Sequence, residues 1–253
     1  MSTVLKRLVF FGALLILWEV VFRLELWPKT MFPGPLGVAD ALVTGISEGT
    51  LVFATLNSLK RLFIGFILAV IIGTLVGILL AKYKSADETL GALVTSLQSI
   101  PSIVWLPLAM VWFHFSEKAI IFVVVLGGMW SMIMNMRMGF KNVQPILVKA
   151  ARTMGSSGFD LFRRVMIPAS IPYAITGMRL AWAFSWRALM AGELIGPGPG
   201  LGYMLMFSRD LGNMDLVVAL MVVIAVIGSV MDYIIFQPAE RKVLTRWGLE
   251  KAT

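Results

Sequence analysis

Three charged side chains lie within one apolar stretch, residues 171–195: Arg179, Arg187 and Glu193. A guanidinium at the centre of a bilayer costs roughly 2.5–3.5 kcal/mol on insertion scales, so such a group usually faces a cavity or an opposite charge. Glu193 follows Arg187 by six residues and is off its helical face by about a third of a turn, which argues against a direct pair between them. We therefore predict that Arg187 faces a cavity and binds a small anion there, with a structural ion pair as the alternative. Arg179 lies nearer one end of the stretch and could instead extend to the membrane surface, and we expect Glu193 near an outer gate.

Two prolines interrupt a second apolar stretch, residues 90–115. Pro101 and Pro107 each remove a helical hydrogen bond at membrane depth, where broken helices are tolerated if they are buried in protein or line a cavity. This pattern predicts a translocation path, and a packed kink without substrate contact is the alternative. The next apolar stretch adds side chains that either line the same path or bond neighbouring helices. Besides the three charged residues, the candidates for this path are Gln98, Ser102, Trp105, Trp130 and Asn135.

The longest charged and amphipathic segment, residues 139–169, separates two apolar stretches. Gly155 and Gly158 interrupt its helical periodicity and predict a turn between two short helices. Pro168 opens the next apolar stretch, where its missing N–H is tolerated in a first helical turn. We predict that this loop lies on a membrane face and docks a soluble partner. The residues assigned to docking are Lys149, Ala150, Ala151, Arg152, Gly155, Ser156, Ser157, Gly158 and Pro168.

The composition indicates a membrane protein, because 58% of the 253 residues are hydrophobic and only 14% are charged. Windows almost free of charge predict six transmembrane helices in a single domain, residues 1–253. Their approximate bounds are 8–24, 60–81, 90–115, 119–138, 170–195 and 215–236. The first window could also belong to a signal peptide, but no cleavage site with small residues follows it.

The second window carries small residues four positions apart, which favours close packing within the chain over a dimer interface. These residues are Gly65, Ala69, Gly73, Gly77 and Ala81. Lys and Arg concentrate on the side of the membrane that holds both termini and residues 139–169, and the positive-inside rule places this side in the cytoplasm. The net charge of +8 is therefore read as a topology signal rather than as a sign of nucleic-acid binding.

The composition also excludes several kinds of chemistry. The chain has no cysteine and a single histidine, His114, so thiol nucleophiles, zinc–thiolate sites and sites with several histidines are absent. The phosphate-binding motif G-x-x-x-x-G-K-[ST] does not occur. We expect no bound cofactor and no catalytic site. The alternatives to a transporter subunit powered by a partner are a gradient-driven secondary transporter or channel and, less favoured, a membrane-embedded enzyme.

The 139–169 loop resembles the cytoplasmic "EAA" loop of ABC-importer permeases. The matching positions are Ala150, Ala151, Gly155, Ile167 and Pro168. Lys149 stands where the family usually has Glu. Further motifs in the same order extend the resemblance over nearly the whole chain, to the nitrate, sulfonate and taurine branch of these permeases. They are Pro33-x-Pro35, Ser58-Leu59-x-Arg61-x-x-x-Gly65, Ile100-Pro101, Leu106-Pro107-Leu108, Asn135, Pro172-x-x-x-x-Gly177-x-Arg179, Glu193 and Gly200-Leu201-Gly202.

The resemblance implies the all-α, polytopic fold of type I ABC importers, with six transmembrane helices and a cytoplasmic coupling helix, in the bacterial inner membrane. It implies a second permease copy in a homodimer, two ABC ATPase subunits that carry ATP and Mg, and an external solute-binding protein. It also implies a small solute such as nitrate, a sulfonate, taurine or bicarbonate. ATP-driven closure of the ATPases would then move residues 149–168 and switch the cavity between inward and outward access.

Overall fold

The computed structural model describes residues 3–28 and 30–248, and every regular element in these ranges is helical. The helices are α1 (Thr3–Arg23), α2 (Pro35–Ser47), α3 (Thr50–Lys82), α4 (Lys84–Gln98), α5 (Leu106–Phe113), α6 (Glu117–Lys141), α7 (Pro145–Thr153), α8 (Gly158–Leu161), α9 (Ile167–Ile195), α10 (Leu201–Asp210), α11 (Met214–Met231) and α12 (Gln237–Arg246). A 3-10 turn, Ser102–Trp105, precedes α5, and π-helical segments, Phe162–Met166 and Asp232–Phe236, precede α9 and α12. The chain ends that we expect in the cytoplasm include Ser2 and Lys251, which lie outside the described ranges.

Within those ranges, three helices are long and apolar enough to cross a membrane: α3, α6 and the continuous helix Met214–Arg246. The windows 60–81, 119–138 and 215–236 fall on these three helices. The window 90–115 falls on α4 and the segment Ser102–Phe113, which meet at an angle of 96° and form a fourth crossing if the pair is one broken span. The windows 8–24 and 170–195 fall on α1 and α9, helices of 21 and 29 residues that are less apolar or more charged.

Backbone contacts group the described residues into two compact units. The first unit comprises the chain up to Ser58 together with Gly198–Val226, and the second comprises Leu59–Pro197 together with the chain from Ile227 onward. In the first unit, the Leu201 backbone N–H donates a 2.8 Å hydrogen bond to the Ser58 hydroxyl oxygen and so joins segments that are far apart in sequence. That residues 1–253 form a single domain stays a prediction.

In the second unit, α3 packs against α6 through its row of small residues. A Cβ atom added to Gly73 would lie 2.6 Å from the Cβ atom of Met132, and one added to Gly77 would lie 2.6 Å from the Cβ atom of Met136. Carbon atoms in contact are normally about 3.5–4.0 Å apart, so the two helices approach this closely only because the side chains are absent. The predicted packing of the small residues within the chain is therefore confirmed.

The same helix, α6, supports α9 on its other side. Met132, Met136 and Phe140 of α6 form a buried cluster with Ala181 of α9. Gly177 of α9 again permits close approach, because a Cβ atom there would lie 2.8 Å from the Cβ atom of Asn135. The position of α9, which carries the three charged residues of the predicted fifth span, is thus set by its packing on α6.

Candidate functional site

A cleft of about 390 Å³ in the second unit, which we name the first cleft, is lined by the segment around Pro101, by α6 and by α9. It brings together four of the predicted path residues, namely Gln98, Ser102, Trp130 and Arg187. Its volume lies in the range of small-molecule sites, roughly 300–1,000 Å³. The segment around Pro101, α6 and α9, whose residues were predicted separately from the sequence, therefore meet at one cavity.

The break in the third predicted span gives the first cleft one of its walls. Pro101 has an extended backbone (φ −54°, ψ 133°) between the end of α4 and the 3-10 turn, and the chain bends sharply there. Pro107 makes no second break, because it lies in the first turn of α5, where a missing N–H leaves no helical hydrogen bond unmade. The prediction of a broken helix is thus confirmed at Pro101, and it is wrong at Pro107.

Arg187 is the one charged side chain among the described residues that line the first cleft. It is exposed in the single chain, and its guanidinium carbon lies 5.5 Å from the centroid of the Phe184 ring, which also lines the cleft. The ion pairs described in the second unit leave Arg187 without a carboxylate partner. A guanidinium that faces a cleft without a fixed countercharge can donate charge-assisted hydrogen bonds to an anion.

Arg187 also lines a second cleft, of about 260 Å³, on the other flank of α9. We name this cavity the second cleft. Its wall includes Trp182 and Trp186 of α9. Besides Arg187, its polar lining consists of Ser229 of α11 and of Asp232 and Tyr233 in the following π-helical segment. Arg187 is the residue that these two clefts share.

Four of the predicted path residues do not line the first cleft, and Asn135 and Trp105 are two of them. The Asn135 side-chain amide donates a 2.8 Å hydrogen bond to the carbonyl oxygen of Ser131, one turn earlier in α6, and its side chain packs against Gly177. The Trp105 indole nitrogen is buried and has no hydrogen-bond partner among the described residues. Asn135 therefore donates its hydrogen bond within its own helix, α6, and not to a neighbouring helix.

Glu193, another predicted path residue, belongs to a buried ion pair. Its carboxylate accepts a 2.9 Å hydrogen bond from Arg61 Nη1 of α3, and both side chains are almost wholly inaccessible. Arg61 Nη2 also donates a 3.0 Å hydrogen bond to Glu117, in the first turn of α6. This arrangement ties three helices together, and it agrees with the expectation that Glu193 does not pair with Arg187.

Sequence analysis missed the role of Arg61, which stands at the start of the predicted span 60–81 and was named only as part of a family motif. Its position contained a usable signal: Arg61 precedes Gly65 by four residues, so it lies on the same face of α3 as the small residues that pack against α6. A charged residue on a packing face has to be paired, and the pairing found here is the result.

Arg179 does not extend to the membrane surface as we considered. Its Nε and Nη2 atoms donate two hydrogen bonds to the carboxylate of Asp232, at 2.7 and 2.8 Å, in the parallel geometry that makes arginine–carboxylate pairs strong. Its Nη1 atom donates to Glu240 of α12 at 2.5 Å, and Glu240 also accepts from the Thr176 hydroxyl at 2.6 Å. Arg179 therefore joins α9 to the C-terminal helices, and it lines neither cleft.

The 139–169 loop forms the predicted turn between two short helices. Helix α7 ends at Thr153 and α8 begins at Gly158, and both Gly155 (φ 87°) and Gly158 (φ 54°) adopt left-handed backbone conformations. Ala151 is buried, whereas its neighbours Lys149, Ala150 and Arg152 are exposed. This places one alanine against the protein and leaves a basic surface around it.

The rest of the loop gives this surface an apolar part. Met154 and Phe159 flank the turn and are 80% and 74% exposed. Ser156 Oγ donates a 2.8 Å hydrogen bond to Asp160 and closes the turn, while Ser157 stays exposed. Pro168 lies in the first turn of α9, as expected. The loop thus offers an apolar and basic surface around a turn that requires glycine.

Comparisons with known proteins agree with this architecture. A family model described as "Binding-protein-dependent transport system inner membrane component" matches residues 69–237. This range includes the 139–169 loop, which we name the docking loop after its predicted role, and all the residues that line the two clefts. A "Probable ABC transporter permease protein" of Brucella melitensis is 32% identical over 217 residues, covering 86% of this chain and 87% of the relative. The taurine transport system permease protein TauC of Escherichia coli is 29% identical over 226 residues, covering 87% and 82%.

Among solved structures, the inward-facing MetNI methionine ABC transporter is similar with a TM-score of 0.68. The match covers 77% of this chain and 96% of the other at 20% sequence identity, and at that identity it establishes the fold alone. The predicted all-α fold of a type I importer permease is confirmed by this likeness. The chain therefore belongs to the family of binding-protein-dependent transport system inner membrane components, as a permease subunit of an ABC transporter whose ATP is hydrolysed by separate subunits.

Proposed function

We propose that this permease imports a small anion and that Arg187, in the first cleft, is the group that holds the anion during passage. The observation that carries the proposal is the isolation of Arg187: it is the one charged residue described in the cleft, and no carboxylate pairs with it there. An uncompensated guanidinium in a membrane-spanning helix is expensive, and a passing anion offsets that cost. Gln98 and Ser102 of the same lining can donate neutral hydrogen bonds to the anion.

The class of anion follows from the size and the lining of the cleft. A cavity of about 390 Å³ with a single cation and mostly apolar walls suits a compact solute that carries one negative group. Taurine, the solute in the name of the Escherichia coli relative, is a small sulfonate. We therefore propose a sulfonate, taurine, nitrate or bicarbonate-like solute, delivered by an external binding protein.

The loop residues between Lys149 and Pro168 are proposed to dock two ABC ATPase subunits, which would carry the ATP and Mg. The exposed Met154 and Phe159 beside the glycine turn support this role, because a docked partner would bury them. Two copies of this chain would form the membrane part. Because Arg187 is exposed in the single chain, a second copy or a water-filled path has to cover the adjoining face of α9. We propose that both termini and the loop face the cytoplasm and that this chain binds no cofactor.

A single cysteine in the first cleft tests the anion site without knowledge of the substrate. The natural chain has no cysteine, so Ser102→Cys provides a unique thiol in this cavity. Membrane vesicles with the assembled transporter are treated with two methanethiosulfonates, one carrying a sulfonate and one a quaternary ammonium. We expect the anionic reagent to react faster than the cationic one once each rate is normalised to free thiol, and Arg187→Gln to abolish the preference. An unchanged preference in the Gln variant would contradict the proposal.

A further inference from the structure

The two clefts give Arg187 two different electrostatic surroundings. In the first cleft no other charged residue is described in the lining, whereas the second cleft also contains Asp232. In this structure the guanidinium carbon lies 5.5 Å from the ring centroid of Phe184, a residue of the first cleft only. The Arg187 side chain therefore lies near the first cleft in this structure, and it also borders the second cleft.

The carboxylate in the second cleft belongs to a group with excess negative charge. Asp232 and Glu240 share a single guanidinium, that of Arg179, so the three side chains together carry one formal negative charge. Arg179 thus satisfies the hydrogen bonding of Asp232 without cancelling the charge of the cluster. A second cation in the same cleft is attracted by this excess, and Arg187 is the cation present there.

We propose that Asp232 competes with the transported anion for Arg187, so that a swing of the Arg187 side chain from the first cleft to the second releases the anion. This inference rests on the proposed function, because it assumes that Arg187 holds the anion in the first cleft. Asp232 is in this role a positioning residue: it acts on the anion through Arg187 and does not touch it.

The competition answers a requirement that every transport site has to meet. A site must bind its solute well enough to admit it and weakly enough to let it leave. A lone guanidinium in a site of low dielectric constant would bind an anion strongly and release it slowly. A carboxylate that pairs with the guanidinium after the anion has left lowers the free energy of the empty site, and this favours release of the anion.

A purely structural role of Asp232 is the competing explanation, and Glu240 provides a matched control for it. Both carboxylates bind the same Arg179 guanidinium, and neutralising either one removes one negative charge from the same cluster. Asp232 lines the second cleft, whereas Glu240 lines neither of the two clefts. A structural or long-range electrostatic effect should therefore appear in both variants, and competition for Arg187 only in the Asp232 variant.

The test uses the Ser102→Cys thiol of the first cleft in vesicles that contain the assembled transporter. The measured quantity is the ratio of the reaction rates with the anionic and cationic methanethiosulfonates. With Asp232→Asn we expect this ratio to rise roughly fivefold, which corresponds to about 1 kcal/mol, because Arg187 then stays in the first cleft. Glu240→Gln should leave the ratio unchanged, and Asp232→Glu should retain the parental value.

The possible outcomes separate this inference from the proposed function. The inference is overturned if Asp232→Asn and Glu240→Gln shift the ratio equally. It is also overturned if neither variant shifts the ratio while Arg187→Gln still abolishes the preference. In both cases Asp232 only holds Arg179. If Arg187→Gln itself leaves the ratio unchanged, the proposed function fails first. Asp232→Ser serves as a second neutral variant should the Asn variant assemble poorly, and the same rise is expected from it.

Discussion

Arg61 of α3 and Glu193 of α9 form an ion pair at 2.9 Å in which both side chains are almost wholly buried, 1% and 0% accessible. Taking two charges out of water is costly, and only their mutual attraction and further hydrogen bonds offset this cost. The pair therefore fixes how α3 and α9 meet, and it makes the start of the predicted span 60–81 part of the core.

Removing one partner of this pair should be strongly destabilising. We expect Glu193→Gln to lower the free energy of unfolding by about 3–5 kcal/mol, because Arg61 would keep a buried charge with less compensation. The measurement is thermal unfolding of the purified chain, in which size-exclusion chromatography gives the fraction that stays folded after heating to each temperature. Glu88→Gln, in the exposed pair with Lys84, is the control and should change stability by no more than about 1 kcal/mol. Equal stability of the two variants would show that the buried pair does not hold α3 and α9 together.

The close approach of α3 and α6 yields a second stability prediction. A methyl group at Gly77 would lie 2.7 Å from the carbonyl oxygen of Ile133, so Gly77→Ala has to push the helices apart and should cost about 1–3 kcal/mol. At Gly12 of α1 a Cβ atom would meet no atom within 4 Å, so Gly12→Ala is the matched control and should be tolerated. We therefore expect a lower midpoint of thermal unfolding for Gly77→Ala than for Gly12→Ala. Equal midpoints would contradict the close packing of α3 and α6.

The glycine turn of the docking loop should be required for assembly with the ATPase. Gly155 has φ 87°, and Gly155→Val strains the backbone by roughly 1–2 kcal/mol, the cost of a left-handed conformation for a residue with a side chain. We expect the variant to insert into the membrane but to bring down less ATPase on purification. Gly212 has a similar conformation (φ 74°) in the turn between α10 and α11, so Gly212→Val controls for strain alone. Co-purification that is normal for Gly155→Val, or equally reduced for both variants, would contradict the docking role.

The topology can be tested with single cysteines in the cysteine-free chain. Ser157, in the docking loop, should be labelled by a membrane-impermeant thiol reagent only after the cells are opened, because we predict a cytoplasmic loop. Ser47, at the exposed end of α2, should be labelled in intact cells. Cysteines at Ser2 and Lys251 extend the test to the two termini. Labelling of Ser157→Cys from outside would reverse the proposed orientation.

The sequence was most informative where a residue type dictates its own geometry. Proline at 101 restricts the backbone, and glycine at 155 permits a left-handed conformation, so the bend and the turn could be predicted without tertiary information. Arg187 could be singled out because a charge in an apolar helix demands a cavity or a partner.

The partners of the other arginines could not be read in this way. Arg179 pairs with Asp232, which lies 53 residues later in the chain, and no spacing rule connects the two. The pairing of Arg61 was missed because a charge count by side of the membrane ignores which face of a helix a residue occupies. These pairings depend on how helices distant in sequence pack, and helix periodicity alone does not contain that information.

Uptake by the Arg187 variants tests the central claim most directly. The transporter, with its ATPase and binding protein, is reconstituted in vesicles, and ATP hydrolysis and uptake of labelled taurine, a sulfonate or nitrate are measured on the same sample. We predict that Arg187→Gln abolishes uptake while assembly and basal ATP hydrolysis persist. Arg187→Lys should retain part of the uptake, because the charge survives although the planar guanidinium is lost. Full transport by the Gln variant would contradict the account, and so would a Gln variant that fails to assemble, since Arg187 would then serve the structure rather than the passage of the anion.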